Sequence, residues 1–122
     1  MRALLIATAV VGIAVAPAQA SHPAMAQHSR SATLLARVNV AAREFKFVLN
    51  AKTAKRGVVI FRVTNVGKIK HDFKIKGRKT RLLTHGQSAT LRVVFLRKGH
   101  YSYSCTVPGH AAAGMKGVFT IT

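Results

Sequence analysis

Apolar and polar residues alternate along most of the chain after residue 33, which is typical of strands with one buried face. In the stretch GVVIFRVTNVG, Val59, Phe61 and Val63 share one face, and the other face carries Ile60, Arg62 and Thr64. Similar or β-branched patterns recur in five further stretches. We predict a strand in each of the six segments 38–49, 57–67, 71–77, 88–96, 99–105 and 117–122.

Glycines separate these segments at short intervals, and no segment carries a helical period over ten residues. Short strands with regular turn signals favour two antiparallel sheets packed face to face. The sequence therefore predicts an all-β, two-sheet sandwich.

The first twenty residues have the features of a secretory signal peptide. Arg2 precedes an apolar run from Ala3 to Val15, and the small residues APAQA offer cleavage after Ala20 or Ala18. The run is too short for a spanning helix, although an uncleaved anchor is an alternative. We expect residues 1–20 to be removed and the protein to be exported, to the periplasm or beyond the cell, without spanning a membrane.

Residues 21–33 are small and polar, so we expect a flexible tail before a single domain at 34–122. The tail contains His22, Met25 and His28, which can bind copper loosely. The alternative is an unstructured remnant of the leader.

The charge is strongly one-sided, with 20 lysines and arginines against two carboxylates, Glu44 and Asp72. The basic residues are spread along the chain and alternate with apolar ones, as on solvent-facing strand positions. This distribution favours a solvated basic surface over a nucleic-acid footprint. Such a surface attracts anionic partners.

The single cysteine lies in the stretch CTVPGHAAAGM, with His110 and Met115 after it at equal spacing. Pro108 and Gly109 turn the chain, so His110 can return beside Cys105. A thiol in an exported protein would oxidise unless it were protected, and a metal would protect it. Thiolate, imidazole and thioether are ligands of a blue-copper site, which needs a second histidine.

Three histidines of the predicted domain compete for that position. His100 lies an odd number of residues from Cys105 on one strand, so it faces the other side of the sheet. His85 precedes Gly86 in a turn and is expected at the surface. His71 opens a strand whose inward residues are Phe73 and Ile75, so we select His71 as the fourth ligand.

These stretches resemble a known family. GHYSYSCTVPGHAAAGMKG, together with NVGKIKHDFKI, is similar to the type 1 copper proteins of the plastocyanin, azurin and auracyanin group, the cupredoxins. The resemblance covers most of residues 57–122. It implies a Greek-key β-sandwich that binds one copper ion through His71, Cys105, His110 and Met115.

The chain departs from the family pattern after the first histidine, where Asp72 stands in place of the common asparagine. In the family, that side chain joins the first-ligand strand to the residue after the cysteine, which is Thr106 here. We expect Asp72 and Thr106 to support the ligands in this way. The alternative is that Asp72 is a surface carboxylate among lysines.

The resemblance implies a non-enzymatic, monomeric electron carrier that passes electrons through His110 to a redox partner. Because the surface is basic, the partner is expected to present an anionic docking face. A copper carrier or storage protein is the main alternative, and a basic module that binds polyanions is another. A hydrolytic Cys–His pair is disfavoured because it gives Met115 no role.

Overall fold

A computed structural model describes residues 8–18 and 35–122. Residues 8–18 are exposed and carry no helix or strand. Within 35–122 the chain forms nine strands: β1 Leu35–Arg43, β2 Lys46–Leu49, β3 Thr53–Ala54, β4 Gly57–Asn65, β5 Lys74–Ile75, β6 Arg78–Lys79, β7 Ser88–Phe95, β8 Gly99–Ser104 and β9 Lys116–Ile121. No helix in these two ranges has the length and apolar character needed to cross a membrane. The tail residues His22, Met25 and His28 lie outside the described residues.

The strands form two sheets, in the orders β2-β1-β4-β7 and β3-β9-β8-β5-β6. The predicted all-β, two-sheet sandwich is therefore confirmed. It is not wholly antiparallel, because β1 pairs in parallel with β4 and β3 pairs in parallel with β9. Consecutive strands alternate between sheets at several points, so connections cross from one layer to the other.

Two predicted strands differ from those observed. The segment 38–49 is a hairpin, since β1 and β2 pair antiparallel around Glu44 and Phe45, with Arg43 opposite Lys46. The segment 71–77 forms a regular strand only at β5, and His71 makes an isolated bridge to Leu83. Alternation indicates extended backbone, but it does not show where a neighbouring strand is available for pairing.

The core lies between the sheets and is centred on Phe61. Its ring centroid lies 5.3 Å from that of Phe73, 6.4 Å from Phe95 and 5.2 Å from Phe119. All four rings are fully buried; Phe61 and Phe95 come from one sheet, Phe119 comes from the other, and Phe73 immediately precedes β5. Burying each large apolar side chain contributes roughly 1.5–3 kcal/mol. This cluster fixes the position of one sheet against the other, and the loops at the ends of the sheets depend on that arrangement.

Candidate metal centre

The loop from Cys105 to Met115 joins two paired strands. Ser104, the last residue of β8, lies opposite Lys116, the first residue of β9. Cys105 and Met115 therefore leave the sheet as neighbours, and the Cys105 amide donates to the Met115 carbonyl at 3.0 Å. The sheet register thus sets both ends of the ligand loop before any metal binds.

Inside the loop, backbone hydrogen bonds fold the chain back on itself. The His110 amide donates to the Val107 carbonyl at 3.1 Å, and the Met115 amide donates to the His110 carbonyl at 3.0 Å. Gly109 makes this turn with a φ of 83°, a conformation that favours glycine. As the sequence predicts, the Pro-Gly turn brings His110 back beside Cys105.

His71 approaches the same point from another part of the sandwich. Its backbone exchanges two hydrogen bonds with Leu83, at 3.0 and 2.8 Å. The buried side-chain amide of Asn65 donates to the carbonyls of Ile69 and Leu83, both at 2.8 Å. These contacts fix the backbone on either side of His71, so its ring enters the core in a defined position.

Three predicted ligands converge at one point. His71 Nδ1 lies 3.1 Å from His110 Nδ1, and Cys105 Sγ lies 3.6 Å from His110 Nδ1. One donor atom from each residue lies within 4.8 Å of the other two. All three side chains are buried.

Met115 is fully buried in the same core. Its main chain is hydrogen-bonded to both Cys105 and His110. The loop therefore places the thioether residue directly beside two of the converging ligands.

The donor set fits copper. Nitrogen and sulfur ligands lie about 2.0–2.3 Å from a transition-metal ion, so two ligands of one ion are separated by roughly 3–4 Å. The observed separations of 3.1 and 3.6 Å lie in this range. Zinc sites draw on cysteine, histidine and carboxylates, whereas two imidazoles, a thiolate and a thioether are the blue-copper set.

Burial governs the protonation of the ligands. It raises the pKa of the Cys105 thiol, so the metal-free site holds a protonated thiol at neutral pH. Burial, with the neighbouring His71, lowers the pKa of His110, which keeps that imidazole neutral. A metal ion that binds here must therefore displace the thiol proton.

Asp72 joins the two segments that carry ligands. It is only 4% exposed. Its Oδ1 accepts from the Thr106 amide at 2.6 Å, and its Oδ2 accepts from the Thr106 hydroxyl. The residue after His71 is thus tied to the residue after Cys105.

Two residues of the β1–β2 turn, Glu44 and Phe45, contact the ligand histidines and were not predicted from the sequence. Glu44 Oε1 lies 3.1 Å from His71 Nε2 and accepts from the amides of Lys68 and Ile69 at 2.7 and 2.9 Å. These hydrogen bonds, that from Ile69 above all, lower the pKa of Glu44 to about 2. The ring of Phe45 packs edge-on against that of His110, with centroids 5.1 Å apart. The only feature of the sequence that could have drawn attention to Glu44 is that it is one of just two carboxylate side chains.

The two rejected histidines lie away from this cluster. His85 and His100 are both exposed. His85 Nδ1 lies 2.6 Å from the Gly67 carbonyl, and His100 Nδ1 lies 3.0 Å from the Thr120 hydroxyl. Both positions agree with the geometric argument made from the sequence.

Comparisons with known proteins bear on the fold and the family. The family model of copper binding proteins, plastocyanin/azurin family, matches residues 33–122. A comparison with curated protein sequences gave no match.

Among solved structures, the chain is similar to three auracyanins. The dithionite-reduced auracyanin of the photosynthetic bacterium Roseiflexus castenholzii has a TM-score of 0.61 and 21% identity, covering 70% of this chain and 96% of that one. Auracyanin A, a blue copper protein of Chloroflexus aurantiacus, has a TM-score of 0.62 and 14% identity, and the match covers 73% of this chain and 100% of that one. Auracyanin B has a TM-score of 0.58 and 21% identity, and the match covers 72% of this chain and 88% of that one. These likenesses confirm the predicted fold class.

Proposed function

The chain belongs to the plastocyanin/azurin family of copper-binding proteins, and we propose that it carries single electrons through one type 1 copper ion held by His71, Cys105, His110 and Met115. The observation that carries this proposal is the convergence of the two His Nδ1 atoms and the Cys105 Sγ atom inside the core. Copper, when bound, supplies the one-electron couple between Cu(II) and Cu(I).

The protein's own part is to hold the ligands in one arrangement in both oxidation states. Cys105 and Met115 are fixed by the β8–β9 register, and His71 is fixed by its backbone bonds to Leu83. Asp72 ties the two segments together through Thr106. A site held this firmly changes little when an electron arrives, which favours rapid transfer.

His110 is the proposed route for electrons. It is 8% exposed, whereas His71 and Met115 are fully buried and Cys105 is 2% exposed. Phe45, which is 41% exposed, packs against its ring. With Val107, Pro108 and the alanines at 111–113, Phe45 offers a small apolar surface for a short-lived encounter.

The partner is proposed to present an anionic docking face. Both carboxylates of the chain are already engaged, Glu44 with His71 and two backbone amides and Asp72 with Thr106. Among residues 35–122, no lysine or arginine lies within salt-bridge distance of a carboxylate side chain. This uncompensated positive field would raise the rate of encounter with an acidic partner.

We further propose that residues 1–20 direct export, that the mature protein works as a monomer in the periplasm or outside the cell, and that it has no enzymatic activity. The leader pattern and the short apolar run support export. Membership of the plastocyanin/azurin family supports the absence of enzymatic activity, and the monomeric state is what the family resemblance implies. We also propose a tail at 21–33 and a folded domain at 34–122, because residues 21–33 are small and polar and the strand patterns come after them.

The test must separate an electron carrier from a copper carrier. The purified mature protein would be loaded with copper and cycled between ascorbate and a mild oxidant in the presence of a strong Cu(I) chelator. An electron carrier keeps its copper over many cycles and shows one reversible one-electron wave by voltammetry. Loss of copper to the chelator on the timescale of reduction would instead favour copper carriage or storage.

A further inference from the structure

Glu44 stands behind His71, on the side of the ring away from the other ligands. Its Oε1 lies 3.1 Å from His71 Nε2, while His71 Nδ1 lies 3.1 Å from His110 Nδ1. An ionised carboxylate can only accept hydrogen bonds, so Nε2 must carry the ring proton. The lone pair of Nδ1 is then directed at the point where the ligands meet.

The carboxylate is itself held in place. The amides of Lys68 and Ile69 donate to Oε1 at 2.7 and 2.9 Å. The side chain is 30% exposed, so it lies partly shielded from water beside a fully buried ring. Glu44 thus joins the β1–β2 turn, the loop before His71 and the imidazole itself.

Gly67 provides the space in which this carboxylate lies. A Cβ atom on Gly67 would stand 2.5 Å from Glu44 Oε1 and 2.7 Å from Oε2. Both distances are too short for real contacts, so any larger residue would push the carboxylate away from His71. Gly67 does not have a positive φ, so its backbone can accept alanine, and the flexible end of the Glu44 side chain is the part that must move.

On these contacts we propose that Glu44 is a positioning residue that selects the His71 tautomer and favours Cu(II) over Cu(I) at the site, and that Gly67 is required for this role. A carboxylate that accepts from a ligand imidazole raises the basicity of its other nitrogen. A more basic ligand favours the more highly charged ion. This inference rests on the proposed copper site and adds the residues that tune it.

The first experiment compares the wild type with Glu44→Gln, which keeps an acceptor but removes the charge. Cu(II) affinity should fall ten- to a hundred-fold, with a smaller change for Cu(I). A tenfold loss that falls on Cu(II) alone raises the one-electron potential by about 59 mV. Asp72→Asn removes the other carboxylate, which lies beside Thr106 and Cys105 rather than behind His71, so it should leave the His71 tautomer unchanged.

The second experiment uses Gly67→Ala, which leaves every charge in place. It should raise the potential as Glu44→Gln does. In the Glu44→Ala background, Gly67→Ala should add nothing, because the displaced group is already gone. Additive shifts in this cycle would overturn the role assigned to Gly67.

A third measurement needs no copper. Nitrogen NMR of the metal-free protein should show His71 protonated at Nε2 in the wild type and a mixture of tautomers in Glu44→Ala. If the wild type gives a blue site but Glu44→Gln keeps the same potential and tautomer, the role of Glu44 is refuted while the proposed function stands. If the wild type gives no blue site with copper, the proposed function itself fails.

Discussion

Replacing Asp72 tests whether the two ligand segments are held together by a buried carboxylate. Asp72→Ala removes the acceptor of the Thr106 amide, at 2.6 Å, and of the Thr106 hydroxyl. A hydrogen bond to a charged group contributes about 1.5–3 kcal/mol. Thr106 is exposed, so water can satisfy its hydroxyl, which adds about 0–1 kcal/mol. We expect a total loss of about 1.5–4 kcal/mol in the free energy of unfolding.

Two further variants divide this loss. Asp72→Asn keeps a neutral acceptor for the amide, so it should lose only about 1 kcal/mol. Thr106→Val removes the hydroxyl alone and should lose about 0–1 kcal/mol. The assay is urea unfolding of the metal-free protein, with melting temperature as a second readout. For a domain of this size, each kcal/mol lowers the melting temperature by about 4–8 °C. If Asp72→Ala loses no more stability than Thr106→Val, the carboxylate does not hold the two ligand segments together and the reasoning is wrong.

Three other predictions follow from the core and the ligands. Phe61→Ala should lower the free energy of unfolding by about 3–5 kcal/mol, measured by urea unfolding, and a loss below 1 kcal/mol would contradict its central position. Met115→Gln should leave the protein folded and lower the reduction potential, because an amide oxygen is a harder ligand than a thioether; an unchanged potential would remove Met115 from the ligand set. Metal-free stability should be greatest between about pH 6.5 and 8.5, the unfolded pKa values of histidine and cysteine. The lowered pKa of His110 destabilises the fold as pH falls below this window, and the raised pKa of Cys105 does so as pH rises above it, so a flat urea-unfolding profile would contradict both.

The sequence was sufficient for the parts of the site that lie close together along the chain. Cys105, His110 and Met115 occupy one loop, and the Pro-Gly turn between them has a local physical meaning. His71 was reached by excluding the other two histidines of the domain, His100 by strand alternation and His85 by its position in a turn before Gly86. The buried face of β4 was likewise readable from its period of two.

What the sequence could not predict depends on contacts between distant segments. Glu44 meets His71 only because the β1–β2 hairpin turns at residues 44 and 45, and the alternating pattern continues through that turn. The parallel pairing of β1 with β4 is also invisible to alternation, which is the same for either direction. The short extent of β5 reflects which backbone groups find partners, and residue types alone do not specify that.

Visible absorption on addition of Cu(II) tests the central claim most directly. The mature wild-type protein should bind one equivalent and develop an intense thiolate-to-copper band that ascorbate bleaches and reoxidation restores. Cys105→Ser should bind copper without that band, and His71→Ala should alter it, since each removes one of the converging donors. Copper binding that gives no intense band, or a band that survives Cys105→Ser, would contradict a type 1 site at this position.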